Sequence, residues 1–95
     1  MKIYKLPEST NFECSFPIGD EIYSASIRTL STSKNKIWTV RNQEGVEIFK
    51  NLNLVSGVNY AGIFSGFGED KVLKYFTDGE KSYLGTEKTG LSNNQ

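Results

Sequence analysis

Few residues in this 95-residue chain could do chemistry. They are one cysteine, Cys14, two adjacent acid pairs, Asp20-Glu21 and Glu69-Asp70, and the glycine-rich run Gly62 to Gly68. Nucleophilic, acid–base, metal or phosphate chemistry would have to start from one of these. The chain has no histidine, which removes the commonest general base and metal ligand. Ser-His-Asp and Cys-His arrangements are therefore impossible within it. Cys14 alternates with Phe12 and Phe16, so its thiol is expected inside the fold, protonated and inert. Neighbouring acids on a strand point to opposite faces, and in turns they cap and solvate the loop, so neither pair is expected to act as a carboxylate dyad or a metal site. The run G-I-F-S-G-F-G departs from the phosphate loop G-x-x-x-x-G-K-[ST] in spacing and lacks its Lys-Ser/Thr, and the following Glu69-Asp70 would repel phosphate. No catalytic residue, metal ligand or cofactor is expected, and the chain does not read as an enzyme.

The rest of the composition narrows the class further. Eleven Lys and Arg balance eleven Asp and Glu, whereas a nonspecific nucleic-acid binder gains most of its affinity by neutralising phosphates. Nucleic acid is not expected as a partner. A single cysteine excludes an internal disulfide. The start M-K-I-Y-K-L-P has no apolar core of a signal peptide, and no run approaches the roughly 20 apolar residues of a membrane span. The expectation is a soluble protein of a reducing cytoplasm, with no membrane partner. A chain of this length buries roughly 60 to 65% of its unfolded surface, enough for one domain with a thin margin.

The elements follow from periodicity. Phe12 to Phe16 alternates with period two, Phe12, Cys14 and Phe16 facing in, as a half-buried strand does. Ile22 to Leu30 places Tyr23, Ala25 and Ile27 on one face and Ser24, Ser26 and Arg28 on the other, with a turn at Pro17 to Glu21 between the two strands. Ile37 to Lys50 reads as a hairpin carrying the only tryptophan. Trp38 and Val40 point inward on its first strand, Val46 and Ile48 return inward on its second, and Gly45 supplies the positive φ of a type I turn with a bulge. Met1 to Leu6, Asn51 to Leu54, Lys71 to Thr77 and Ser82 to Leu84 complete the set, with Asp78-Gly79 as a hairpin signal. Lys71 to Thr77 carries apolar residues on both faces and is expected to be covered on both. The sum is an all-β domain over residues 1–85, a small antiparallel barrel or sandwich of six to eight short strands, with a polar tail over 86–95.

Between Val58 and Phe67 glycines discourage a long helix, and one helical turn is expected. Tyr60, Ile63, Phe64 and Phe67 lie here, more apolar groups than a small domain easily buries in a loop. They are the expected protein-contact residues, because exposed apolar patches mark contacts with other proteins.

The order of features resembles that of the small baseplate plug proteins of contractile-tailed phages, the cyanophage-type family. Y-K-L-P followed by N-F-E-C-S-F is similar to that family's opening. A strand such as Glu21 to Arg28 follows, then a Trp-centred strand, here I-W-T-V-R-N, and an acidic turn with glycine, Q-E-G. L-N-L-V-S-G-V-N and Tyr83-Leu84-Gly85 resemble its later segments, so the similarity spans roughly residues 3 to 85. The family continues past the late L-G into a closing strand where this chain turns polar, which leaves that strand absent or supplied by a neighbour. The resemblance implies a non-catalytic structural virion protein of the tail baseplate, assembled in the host cytoplasm. It implies packing in several copies near the central hub, against other baseplate or tail proteins. The alternative is an OB- or SH3-like module for single-stranded nucleic acid or peptide. Tyr4, Tyr23, Trp38, Tyr60, Phe64 and Tyr75 would be its stacking platforms, although most fall on inward strand positions, where core packing is the better account.

Overall fold

The computed structural model describes residues 1–32 and 35–89. Seven strands, β1 (Lys2–Lys5), β2 (Asn11–Ile18), β3 (Glu21–Thr29), β4 (Lys36–Arg41), β5 (Glu47–Asn53), β6 (Lys71–Thr77) and β7 (Ser82–Lys88), carry the fold. They form two antiparallel sheets, β2-β3-β4-β5 and β1-β7-β6. The single helical turn α1 (Tyr60–Ile63) and a 3-10 turn over Ser65–Phe67 occupy the connection from β5 to β6. The fold is all-β, as the periodicity requires, and no ladder joins the two sheets among the described residues.

The first hairpin follows the sequence closely. In β3, Tyr23, Ala25 and Ile27 are buried while Ser24, Ser26 and Arg28 are not. In β2, Phe16 is buried, and Phe12 and Cys14 are half-buried against the same core. Strand β2 runs on through Pro17 to Ile18, so the turn shrinks to Gly19-Asp20. Proline is tolerated there because β2 is an edge strand and Pro17 needs no ladder donor.

The β4–β5 hairpin turns as expected and then departs. The Gly45 amide donates to the Asn42 carbonyl at 3.0 Å and the Asn42 amide to the Val46 carbonyl at 2.9 Å, with Gly45 at φ +85. That is a type I turn closed by a glycine bulge. Trp38 pairs with Leu52 but Val40 pairs with Phe49, and Arg41 then pairs with Glu47. Strand β5 thus carries one extra residue opposite Thr39 and another after Val40. Asn51 takes the first bulge at φ +53 and donates its amide to the Thr39 hydroxyl at 3.1 Å. Each bulge flips strand parity. Val46, expected inside, is exposed, Ile48 is half-buried, and Phe49 enters the core. Asn51 to Asn53 continues β5 rather than forming a separate strand.

The polar tail begins later than expected. Thr86, Glu87 and Lys88 belong to β7 and pair with Leu73, Val72 and Lys71 of β6. The Thr89 amide donates to the Asp70 carbonyl at 2.6 Å. Backbone pairing supports these residues regardless of their polarity, so strand β7 closes within this chain. Residues 90–95, the rest of that tail, lie outside the described residues.

The core is aromatic. Phe49 lies 5.3 Å from Trp38, 5.6 Å from Tyr60, 4.9 Å from Phe64 and 6.2 Å from Phe67, centroid to centroid. Phe67 extends the chain of rings to Tyr23 at 5.3 Å, and Tyr23 extends it to Phe16 at 6.1 Å. Such pairs add roughly 0.5–1.5 kcal/mol each beyond their buried area. Trp38 is 1% exposed and meets Tyr60 edge-on at 83°. Truncating a buried Trp to Ala costs about 3–5 kcal/mol, a large part of the stability of a small domain. Trp38→Ala is expected to lower the unfolding free energy by that amount, read as a lower urea midpoint at constant m-value; a loss below about 1 kcal/mol would contradict the packing described.

Candidate protein-contact surfaces

The four expected contact residues differ in burial. Tyr60 is buried, and its hydroxyl donates to the Asn53 carbonyl at 2.6 Å and accepts the Val55 amide at 2.7 Å. Phe67 is 1% exposed. Both are core residues, a correction to the expected contact set. The reason is Phe49, which the β5 bulge turns inward and which gives the loop rings something to pack on. Phe64 is half-buried on that ring, and Ile63 alone stands out, 64% exposed. Bridges Ser56 to Tyr75 and Asn59 to Lys74 tie the same segment to the free edge of β6. The Asn59 side chain also accepts the Leu73 amide at 3.0 Å. The segment is first of all a seal for one side of the sandwich.

A larger apolar surface lies on the outer face of the three-stranded sheet. Leu73, Tyr75, Leu84 and Thr86 point into the core, so Val72, Lys74, Phe76, Tyr83, Gly85 and Glu87 point out, with Lys74 paired to Gly85. Ile3 pairs with Gly85, and Phe76 pairs with Tyr83. Gly85 has no side chain to fill the centre, and its neighbours close over it. A β-carbon built there would sit 2.6 Å from Met1 Sδ, 3.0 Å from Phe76 Cε2 and 3.2 Å from Ile3 Cδ1. Met1 and Ile3 are more than half exposed, while Val72, Phe76 and Tyr83 are half-buried. The expectation that β6 is covered on both faces is met on the inner face alone. Two sequence signals pointed to this patch: Ile3 opposite in phase to Tyr4 and Leu6, and the doubly apolar β6. Neither revealed that the two strands flank a glycine.

The outer face of the four-stranded sheet is polar and internally paired. Arg41 reaches the Ser26 hydroxyl at 3.3 Å and the Glu47 carboxylate at 3.3 Å, and Arg28 reaches the Asn51 side chain at 3.3 Å. Of the six rings considered as stacking platforms, Tyr23, Trp38, Tyr60 and Tyr75 are buried and Tyr4 and Phe64 half-buried. A base could not reach the buried four without unfolding the core.

Burial raises the Cys14 thiol above its ordinary range, which disfavours the reactive thiolate. Among the described residues no group of three or more His, Cys, Asp or Glu is placed to hold a metal. The densest ionic contact joins the start of β3 to the start of β6. Lys71 Nζ, its side chain 8% exposed, donates to the Glu21 carboxylate and, at 2.8 Å, to the Tyr23 hydroxyl. The Tyr23 hydroxyl lies 3.1 Å from Glu21 Oε1 and 3.4 Å from the Phe67 carbonyl. Lys71 Nζ is 5.3 Å from the Tyr23 ring centroid, a distance set by its bond to the phenol oxygen at the ring edge. Burial opposes the charge on Lys71, yet its bonds to Glu21 and Tyr23 outweigh that and hold the ammonium above its usual range. Such a lysine is a clamp and not a nucleophile.

No family model, curated protein or solved structure matches this chain.

The clamp has a pH signature. The Lys71 hydrogen bond, then that from Tyr23, holds the Glu21 carboxyl below its ordinary value. A depressed carboxylate contributes stability above the unfolded value, about 4.3, and the contribution disappears as pH falls through the lower folded value. Glu21→Gln is expected to lower Tm slightly at neutral pH, the gap to wild type closing below the carboxylate range. Melting curves at a series of pH values check this, and a gap unchanged at about pH 2 would contradict an ionic origin.

Proposed function

We propose that this protein is a non-catalytic structural component of a phage tail baseplate, a plug-like subunit that works through contacts with neighbouring tail proteins. The observation that carries the reading is the apolar outer face of the β1-β7-β6 sheet, where Met1, Ile3 and Phe76 close over Gly85. An exposed apolar patch on a small domain supports a contact with another protein. The resemblance over residues 3 to 85 supplies the setting, a baseplate with the hub as nearest neighbour and several copies per particle.

Supporting features are consistent with one another. The formal charge is zero, the arginines of the four-stranded sheet are paired within the chain, and the rings that could stack on bases are mostly core. A domain of this size that gains stability from its neighbours suits an assembly in which it is never released.

The test is incorporation. Antibody against the purified chain, applied to purified tailed particles, is expected to label the baseplate end of the tail. Ile3→Asp, at an exposed position, should fold with unchanged Trp38 fluorescence and be recovered in particles at least tenfold less than wild type. Particles that carry no label, or that take up the variant as readily as wild type, would overturn the assignment.

A further inference from the structure

Two free strand edges remain on the side of the sandwich opposite α1, and they match one another. The Thr29 amide donates to the Thr10 carbonyl at 2.9 Å. This extends the β2–β3 register by one pair and fixes which pairs exchange hydrogen bonds, since these alternate along an antiparallel ladder. Phe12, Cys14, Phe16 and Ile18 therefore bond to β3. Asn11, Glu13, Ser15 and Pro17 turn their backbone groups to the outside. The Pro17 carbonyl accepts the Thr86 hydroxyl at 3.2 Å, while the amides of Asn11, Glu13 and Ser15 have no partner among the described residues. The same logic applies to β1, where the Leu6 amide donates to the Ser82 carbonyl at 2.8 Å. Lys2 and Tyr4 bond to β7, and Ile3 and Lys5 face out.

We infer that these edges pair between copies, β1 of one copy adding antiparallel to β2 of the next. The register that pairs them sets Lys5 against Glu13, Ile3 against Ser15 and Tyr4 against Cys14. Both members of the first pair are exposed, and neither has an ion-pair partner among the described residues. In this register the outward backbone groups of one strand meet those of the other. Lys5 and Glu13 lie side by side on the outer surface, and Tyr4 comes to rest beside Cys14 on the inner one. Tyr4, Phe12 and Cys14, half-buried in one copy, are covered in the pair. A shift of two residues one way sets Ile3 against Glu13. A shift the other way sets Ile3 against Pro17, which has no amide to give. Pairing of β2 with its own twin about Glu13 brings two carboxylates face to face, which is unfavourable.

Each copy presents both edges on the same side, so two copies can satisfy one another reciprocally, β1 of each on β2 of the other, and close as a twofold dimer. The inference rests on the edges alone and holds whether or not the chain belongs to a tail.

Sedimentation velocity over a concentration series tests it. Wild type is expected to self-associate, and Glu13→Lys or Lys5→Glu alone to associate about tenfold more weakly, because each sets like charges together. Mixing the two variants restores association, since each supplies the charge that the other lacks at both edges. Ser15→Pro, which removes an outward amide that the fold does not use, gives a folded monomer; should it fail to fold, the charge pair decides alone. A strictly monomeric wild type at millimolar concentration would overturn the inference. So would variants that associate like wild type, or a mixture no stronger than its components.

Discussion

The ring of Phe49 is the contact on which the rest of the architecture depends. A regular β5 in phase with Val46 would put that ring in solvent. The bulge opposite Thr39 and the extra residue after Val40 bring it inward instead. There it touches Trp38 from its own sheet and Tyr60, Phe64 and Phe67 from the connection to β6. Asn51 suits the bulge because Asn tolerates positive φ better than most residues. Its side chain and amide are both used, by Arg28 and Thr39. A local break in the ladder thus organises a core that spans the β5–β6 connection and both sheets.

Much of this was legible in the sequence, and the limits have physical causes. Strict alternation located β2, β3 and β4 and their buried faces, since period two survives wherever a ladder is regular. The Asn42 to Gly45 turn was legible because positive φ selects glycine. Phe49 was not legible, because a bulge changes strand parity without leaving a composition signal. The errors at Tyr60 and Phe67 follow from that one omission: with Phe49 assigned outside, the loop rings had nothing to pack on and read as contacts. Strand β7 beyond Gly85 was missed for another reason. Thr86, Glu87 and Lys88 are polar, and their place is set by pairing with β6, a long-range contact that local periodicity does not encode. Of the candidate contact residues Ile63 kept its expected exposure, and the broader apolar patch around Gly85 needed the β1–β7 register to be seen.

The two sides of the sandwich are finished differently. On one side the segment from Ser56 to Phe67 bonds to β6 and fills the gap between the sheets with rings. On the other, the Thr86 hydroxyl donates to the Pro17 carbonyl and links β7 to β2. Free edges invite pairing, and proteins usually blunt them with charge, proline or brevity. β1 is four residues long with a lysine at each end, and β2 carries Glu13 and has Pro17 next to its last residue. These devices block each edge from its own twin far better than they block the two edges from one another. A surface that merely avoided aggregation would carry the same sign on both.

The outer faces differ in the same sense. The four-stranded sheet shows water a network of Arg28, Arg41, Ser26, Glu47 and Asn51 that satisfies itself, and so has little to gain from a partner. The three-stranded sheet shows Ile3, Phe76 and Met1 around a glycine. Burial of such a patch is favourable at roughly 25 cal/mol per Å². The apolar patch around Gly85 and the free edge of β1 therefore adjoin one another. β1 belongs to both surfaces, through the side chain of Ile3 on the face and through the backbone of Ile3 and Lys5 on the edge. A neighbour that engages one surface must position β1 for the other, so the shortest strand of the fold is the one through which contacts to different subunits would be coupled.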